Sequence, residues 1–120
     1  MPIVEVEIVA ERKLVPGLAT RLAHNLAPIF GRPARGTWVK LRRLDVSDYA
    51  EGDGGPSPDV RPVFVRILKA DPPTGDELRE QVRLVTRVVG ETCERPFENV
   101  HLIYQQSARG RVAFGGELVD

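Results

Sequence analysis

The first pattern in the chain is an alternation of side chains over residues 3–10. Val4, Val6 and Ile8 would point to one face of a strand and Glu5 and Glu7 to the other, because successive side chains of a strand alternate. The β-branched content favours the same structure. The pattern therefore predicts a strand with one buried face.

A helical pattern follows, in which apolar residues recur every three or four positions. Seven residues form this stripe: Val15, Leu18, Ala19, Leu22, Ala23, Leu26 and Ile29. Pro16 is placed for the first helical turn, where a missing N–H costs nothing. Pro28 and the Gly-Arg-Pro run at 31–33 predict the end of the helix. A second strand is predicted from about Trp38 to Leu44.

The same order of elements begins again after a linker rich in glycine and proline at positions 51–58. Thr74 and Glu77 have the capping-box form, which predicts that the Thr74 hydroxyl caps a helix. The second set of elements comprises a strand over 63–68, a helix with the stripe Leu78, Val82, Val85 and Val89, a strand over 100–105, and a short extended piece held in turns over 110–116.

The chain therefore contains β-α-β twice within a single domain spanning 1–120, with repeat one at about 2–55 and repeat two at about 62–118. Two such units must pack against each other, which predicts an α+β fold with a four-stranded mixed sheet and both helices on one face. The other face would be bare and mixed in polarity, which favours an oligomer that covers it. The alternative is a ferredoxin-like monomer with a moderately apolar surface.

Composition and charge exclude several classes of protein. The 120 residues contain 17 Lys+Arg and 17 Asp+Glu, so the net charge of zero argues against electrostatic binding of nucleic acid. No apolar run approaches the ~20 residues of a membrane helix, and the first residues do not resemble a signal peptide. The single cysteine, Cys93, argues against a disulfide framework or a cysteine-based metal cluster. We expect a cytoplasmic protein without a cofactor or metal.

Few residues offer catalytic chemistry. His24 and His101 are the only histidines, and no common hydrolase, zinc or phosphate-loop motif is present. Pro2 is different, because removal of Met1 would leave a free secondary amine whose pKa starts near ~8. Burial and neighbouring cations would lower that pKa further. Such a nitrogen can act as a general acid and base, although its position alone favours a proline that simply begins a strand.

Three segments of the chain resemble the tautomerase superfamily. They are the N-terminal run 1–6 (Met-Pro-Ile-Val-Glu-Val), Arg12 ten positions after Pro2, and the tail 108–118 (Ala-Arg-Gly-Arg-Val-Ala-Phe-Gly-Gly-Glu-Leu). The two ends are similar to 4-oxalocrotonate tautomerase. The doubled length and the Gly-Arg-Pro run resemble fused-repeat members, which include macrophage migration inhibitory factor. The resemblance implies a homotrimer with a Pro2 pocket at each subunit boundary.

The resemblance also implies roles for individual residues. Pro2 would be the catalytic acid and base, and Arg12 would bind a substrate carboxylate. Arg32 stands where the cytokine-like branch has a lysine. His101 stands where relatives have a second arginine or a tyrosine, with Lys40 near its counterpart on the second strand. The pocket phenylalanine of the family aligns with Val112, and Phe114 follows two residues later.

These residues predict a tautomerase that interconverts the keto and enol forms of a small 2-oxo acid. One alternative is a hydratase or dehalogenase of unsaturated acids, in which Glu51 or Asp53 activates water beside a protonated Pro2. A second alternative is a non-catalytic trimeric binding protein. The expected partners are the small-molecule substrate and further copies of the chain. We expect binding neither to nucleic acid nor to a membrane.

Overall fold

The computed structural model describes residues 2–52 and 61–120. Its helices and strands are, in chain order, β1 (Ile3–Ala10), α1 (Leu18–Leu26), β2 (Trp38–Asp45), β3 (Val63–Leu68), α2 (Gly75–Cys93), β4 (Val100–Tyr104), β5 (Ala113–Phe114) and β6 (Glu117–Leu118). The four long strands and both helices therefore lie where the apolar patterns predict them, apart from the ends discussed below.

The main sheet has the strand order β2-β1-β3-β4. β1 is parallel to β2, with Ile3 opposite Trp38, and β3 is parallel to β4. The two units join where β1 and β3 run antiparallel, with Ile3 opposite Leu68. This arrangement confirms the predicted α+β fold with a mixed four-stranded sheet.

The hydrophobic core lies between one face of the sheet and the two helices. Val4, Val6 and Val65 face this core from the central strands. Leu22 and Val89, which are 0% exposed, face it from α1 and α2. Both helices therefore cover the same face, as predicted, and the opposite face of the sheet is not covered by either helix.

The beginning and end of α1 differ from the prediction. The helix begins at Leu18, after Gly17 with φ 83°, so Pro16 precedes the helix instead of lying in its first turn. A left-handed φ of this size is readily available only to glycine. At the other end, the chain tightens into a 3₁₀ turn over Ala27–Phe30. Pro28 has no N–H to continue the α-helical hydrogen bonds, which explains the change.

The capping hydrogen bond predicted at Thr74 is absent, although Thr74 does lie at the N-cap position of α2. The backbone N–H of Leu78 donates to the Thr74 carbonyl oxygen at 3.3 Å. The tail forms the short β5–β6 hairpin, which agrees with an extended piece held in turns. In the described ranges, neither helix is both long enough and apolar enough to cross a membrane.

Candidate active site

Pro2 lies at the end of the sheet, directly before β1. Its ring is fully buried, and its carbonyl oxygen accepts a hydrogen bond from the Trp38 N–H at 3.0 Å. A proline can occupy this position because the first residue of a strand need not donate to the ladder. Pro62 has the matching position before β3, where its carbonyl oxygen accepts from the Val9 N–H at 3.1 Å. Both prolines therefore directly precede a strand, but Pro2 is bonded from the parallel neighbour β2 and Pro62 from the antiparallel neighbour β1.

The C-terminal hairpin brings Phe114 to the Pro2 end of the sheet. The ring of Phe114 stands at 88° to that of Trp38, with 5.2 Å between the ring centroids. Arg109 anchors the same tail to the loop after β3 through two hydrogen bonds to Asp71, at 2.7 and 2.5 Å. Phe114 therefore lies at the same end of the sheet as Pro2, where it packs on Trp38.

Two cations lie on the helix side of this end. Lys69 follows β3, and its Nζ is 5.2 Å from the centre of the Phe30 ring, a cation–π geometry. Burial lowers the pKa of Lys69, and the nearby charge of Arg32 lowers it further. Arg32 therefore lies near Lys69, at the same end of the sheet as Pro2. The sequence does not indicate Lys69 as a site residue, because no spacing rule gives the register between β1 and β3.

Lys40 and His101 lie on the uncovered face of the sheet. Lys40 donates to a Glu5 carboxylate oxygen at 3.0 Å, and the His101 ring centroid is 5.6 Å from that of Phe64. Phe64 lies opposite Glu7, four residues further along β1 than Ile3. One chain therefore does not bring either side chain to Pro2.

The uncovered face itself carries a groove of about 510 Å³. Its charged residues are partly paired within the chain, since Arg42 lies 3.7 Å from a Glu7 carboxylate oxygen. Tyr49 and Phe64 add aromatic surface, with 5.8 Å between their ring centroids. The face is mixed in polarity, as the sequence predicts.

Arg12 lies at the opposite end of β1 from Pro2. The eight residues of β1 separate the two, which corresponds to about 25 Å at the usual rise of a strand. Arg12 and Lys13 line a groove of about 370 Å³ together with Arg61 and Arg95. Three hydrogen bonds hold the Arg95 guanidinium on backbone carbonyl oxygens. A site that contains both Pro2 and Arg12 therefore requires two copies of the chain.

Glu51 and Asp53 are the carboxylates that could activate water in a hydratase. Glu51 accepts a hydrogen bond from the Tyr49 hydroxyl at 2.7 Å, and this bond raises the pKa of Tyr49. Asp53 lies outside the described residues, as do Gly54, Gly55 and Met1. Glu51 is therefore held beside the uncovered face and away from Pro2 of its own chain.

Comparison with solved structures identifies the fold. The F6 fused 4-OT asymmetric trimer is 13% identical over 98% of this chain and 95% of its own, with a TM-score of 0.78. Macrophage migration inhibitory factor (MIF) from Oncomelania hupensis is 17% identical over 100% of this chain and 83% of its own, with a TM-score of 0.74. The chain has the fold of the fused 4-OT and MIF proteins. The predicted resemblance is thereby confirmed at the level of the fold.

A third similar structure is that of a protein inactivated by a small 2-oxo compound. Pt0534 inactivated by 2-oxo-3-pentynoate is 14% identical over 98% of this chain and 94% of its own, with a TM-score of 0.75. No family model matches the sequence, and no curated protein does. At these identities, the common feature of the chain and its structural neighbours is the fold.

Proposed function

We propose that the protein is a tautomerase that interconverts the keto and enol forms of a small 2-oxo acid. The observation that carries this proposal is the position of Pro2, buried at the end of the sheet, where Trp38 bonds to its carbonyl oxygen and Phe114 packs on Trp38. Two cations, Lys69 and Arg32, lie at the same end. A secondary amine in these surroundings suits proton transfer at a carbon beside a carbonyl.

The proposed reaction begins with removal of Met1, which frees the Pro2 nitrogen. The neutral amine takes a proton from C3 of the 2-oxo acid, and the electron pair of that C–H bond forms the C2–C3 double bond. The proton then passes to the oxygen on C2, which gives the enol. Burial and nearby cations both disfavour the protonated amine, so we expect its pKa to lie below the usual value of about 8.

The full site requires an assembly of several copies. We propose a homotrimer in which Arg12 of one protomer lies near Pro2 of another and binds the substrate carboxylate. The fused 4-OT structure with the same fold is a trimer, which supports this assembly. Lys40 and His101 are still predicted to contact the substrate. In the proposed trimer they would reach it from a neighbouring protomer.

The experiment is ketonisation of phenylenolpyruvate by the wild type, Pro2→Ala and Pro62→Ala, each checked by intact mass. We expect Pro2→Ala to lose at least about 100-fold in kcat/KM, the lower range for general acid–base catalysis. Pro62→Ala is the matched control, because Pro62 also directly precedes a strand. Equal rates for the wild type and Pro2→Ala would defeat the proposal.

The hydratase or dehalogenase alternative depends on a carboxylate that activates water. Glu51 is the described candidate, and its bond to Tyr49 holds it in place. In that reaction Pro2 stays protonated, so its amine would titrate well above pH 8, whereas a value near ~6–7 favours tautomerisation. Retention of Met1 in the cellular protein would instead support the non-catalytic trimeric binding protein.

A further inference from the structure

Pro2 is flanked by Thr37 on β2's side and by Lys69 on β3's side. Ile3 lies opposite Trp38 in the parallel pair and opposite Leu68 in the antiparallel pair. Continuing both registers by one residue places Pro2 between Thr37 and Lys69. Side chains directly opposite each other point to the same face, with Cβ atoms about 5 Å apart. The three side chains therefore form a row at the end of the sheet.

Lys69 carries a charge that its surroundings do not fully balance. Among the ion pairs within the described residues, none includes Lys69 or Arg32. Asp71 and Glu77 lie close enough to raise the pKa of Lys69. The Asp71 carboxylate, however, is already bound by both sides of the Arg109 guanidinium. One anionic ligand would therefore balance the remaining positive charge.

A groove of about 540 Å³ adjoins Lys69. Its apolar walls come from Ile29, Leu84 and two prolines, and its carboxylates are Asp71, Glu77 and Glu80. An apolar group would be accommodated by these walls. A second carboxylate would instead meet Glu77, and two like charges in a partly desolvated groove repel each other.

We propose that Lys69 binds the single carboxylate of the substrate and that the adjoining groove takes an apolar tail. This inference rests on the proposed function and narrows its substrate class to 2-oxo acids with one carboxylate. It gives the substrate carboxylate a partner from the same protomer as Pro2, whereas the resemblance assigns that carboxylate to Arg12.

The test compares the wild type, Lys69→Met and Lys69→Arg on phenylenolpyruvate, which has one carboxylate, and on 2-hydroxymuconate, which has two. We expect Lys69→Met to raise KM for phenylenolpyruvate about tenfold or more, as for loss of a charged hydrogen bond, with a smaller change in kcat. Lys69→Arg should restore most of the loss. Arg87→Gln, which removes an exposed charge from α2, is the control and should behave as the wild type.

Binding of phenylpyruvate, followed through the fluorescence of Trp38, tests the same inference without turnover. Trp38 is the only tryptophan and lies beside Pro2. Weaker binding in Lys69→Met supports the inference, and unchanged binding and KM overturn it. If Pro2→Ala keeps full activity while Lys69→Met binds weakly, the proposed function fails and the binding role of Lys69 stands. A wild type that prefers 2-hydroxymuconate contradicts the single-carboxylate class.

A separate observation concerns Thr37 on the other side of Pro2. Thr37 is 3% exposed, and its Oγ1 has no hydrogen-bond partner among the described residues. A buried hydroxyl without a partner is destabilising, because no hydrogen bond offsets the loss of its hydration. We infer that Thr37 is a positioning residue whose hydroxyl hydrogen-bonds the Pro2 amine once Met1 is removed, because that amine then offers both an N–H and a lone pair.

The test measures thermal unfolding of Thr37→Val and Thr37→Ser in two forms of the protein, with Met1 retained and with Met1 removed. Valine has the shape of threonine without the hydroxyl. With Met1 retained, we expect Thr37→Val to unfold at the same or a higher temperature than the parent. With Met1 removed, it should unfold at a lower temperature and shift the pH profile of kcat/KM, and Thr37→Ser should do neither. The same response in both forms would overturn the role of Thr37.

Discussion

At the residue scale, Pro2 and Lys69 show what a sequence can and cannot reveal. Pro2 is a candidate on position alone, because a proline after Met1 can become a free secondary amine. Lys69 is inconspicuous in the sequence, since the role proposed for it depends on the residue opposite it in the sheet. The register of an antiparallel pair depends on the packing of both faces, which a single sequence does not specify.

Cys93 provides a prediction at the same scale. It is 8% exposed, and burial raises the pKa of its thiol to about 11, partly offset by Arg95 and Arg21. At pH 8 only about a thousandth of such a thiol is ionised, and the thiolate is the reactive form. We expect Ellman's reagent to label Cys93 slowly in the native protein and rapidly in urea. Rapid labelling of the folded protein would contradict the buried position.

At the element scale, the apolar stripes predict the long elements well because burial dominates their stability. The helix ends depend on single backbone features instead. Gly17 adopts a left-handed φ and starts α1 later than Pro16 suggests. Thr74 begins α2 without the side-chain bond that its sequence motif predicts. The packing of the surrounding chain decides whether a capping side chain makes its hydrogen bond. A local motif such as that at Thr74 therefore predicts where a helix begins better than it predicts the capping bond.

Gly90 in α2 permits a test of how this helix packs. A Cβ at this position would lie 2.7 Å from Cδ1 of Phe97 and 3.0 Å from the Arg95 carbonyl oxygen. Alanine normally stabilises a helix over glycine by about 1 kcal/mol, but overpacking costs about 1–3 kcal/mol. We therefore expect Gly90→Ala to lower the melting temperature measured by circular dichroism.

The second variant of this test is Gly90→Ala with Phe97→Ala. Phe97 is 46% exposed, so its truncation alone should cost little. The double variant should recover part of the stability lost in Gly90→Ala, because the closest clash is removed. If the double variant lost as much stability as the two single variants lose together, the close packing of Gly90 on Phe97 would be contradicted.

At the scale of the whole molecule, the duplicated β-α-β pattern predicts the sheet and the placement of both helices. It does not predict which residues meet at the site, because Pro2 and Arg12 lie at opposite ends of β1. The proposed site needs contacts between copies to bring them together, and the hydrophobic periodicity of one chain does not encode such contacts. The predicted roles of Lys40 and His101 depend on the same assembly.

The assembly itself gives the next prediction. Light scattering coupled to size-exclusion chromatography should report three times the chain mass of 13.3 kDa. Mixing Pro2→Ala with Arg12→Ala should restore part of the activity that each variant lacks alone, since some boundaries then contain both wild-type residues. A monomer in solution, or no activity in mixed trimers, would contradict a site formed between protomers.

The most direct measurement of the central claim is the chemical state of the Pro2 nitrogen. The protein, isolated from its native cell, is treated with 2-oxo-3-pentynoate, whose alkyne can add an amine, and its N-terminal peptide is sequenced by mass spectrometry. The account predicts that Met1 is absent and that one molecule of reagent is attached to the Pro2 nitrogen, with activity lost in proportion. Met1 still attached to Pro2, or inactivation with the label elsewhere, would contradict it.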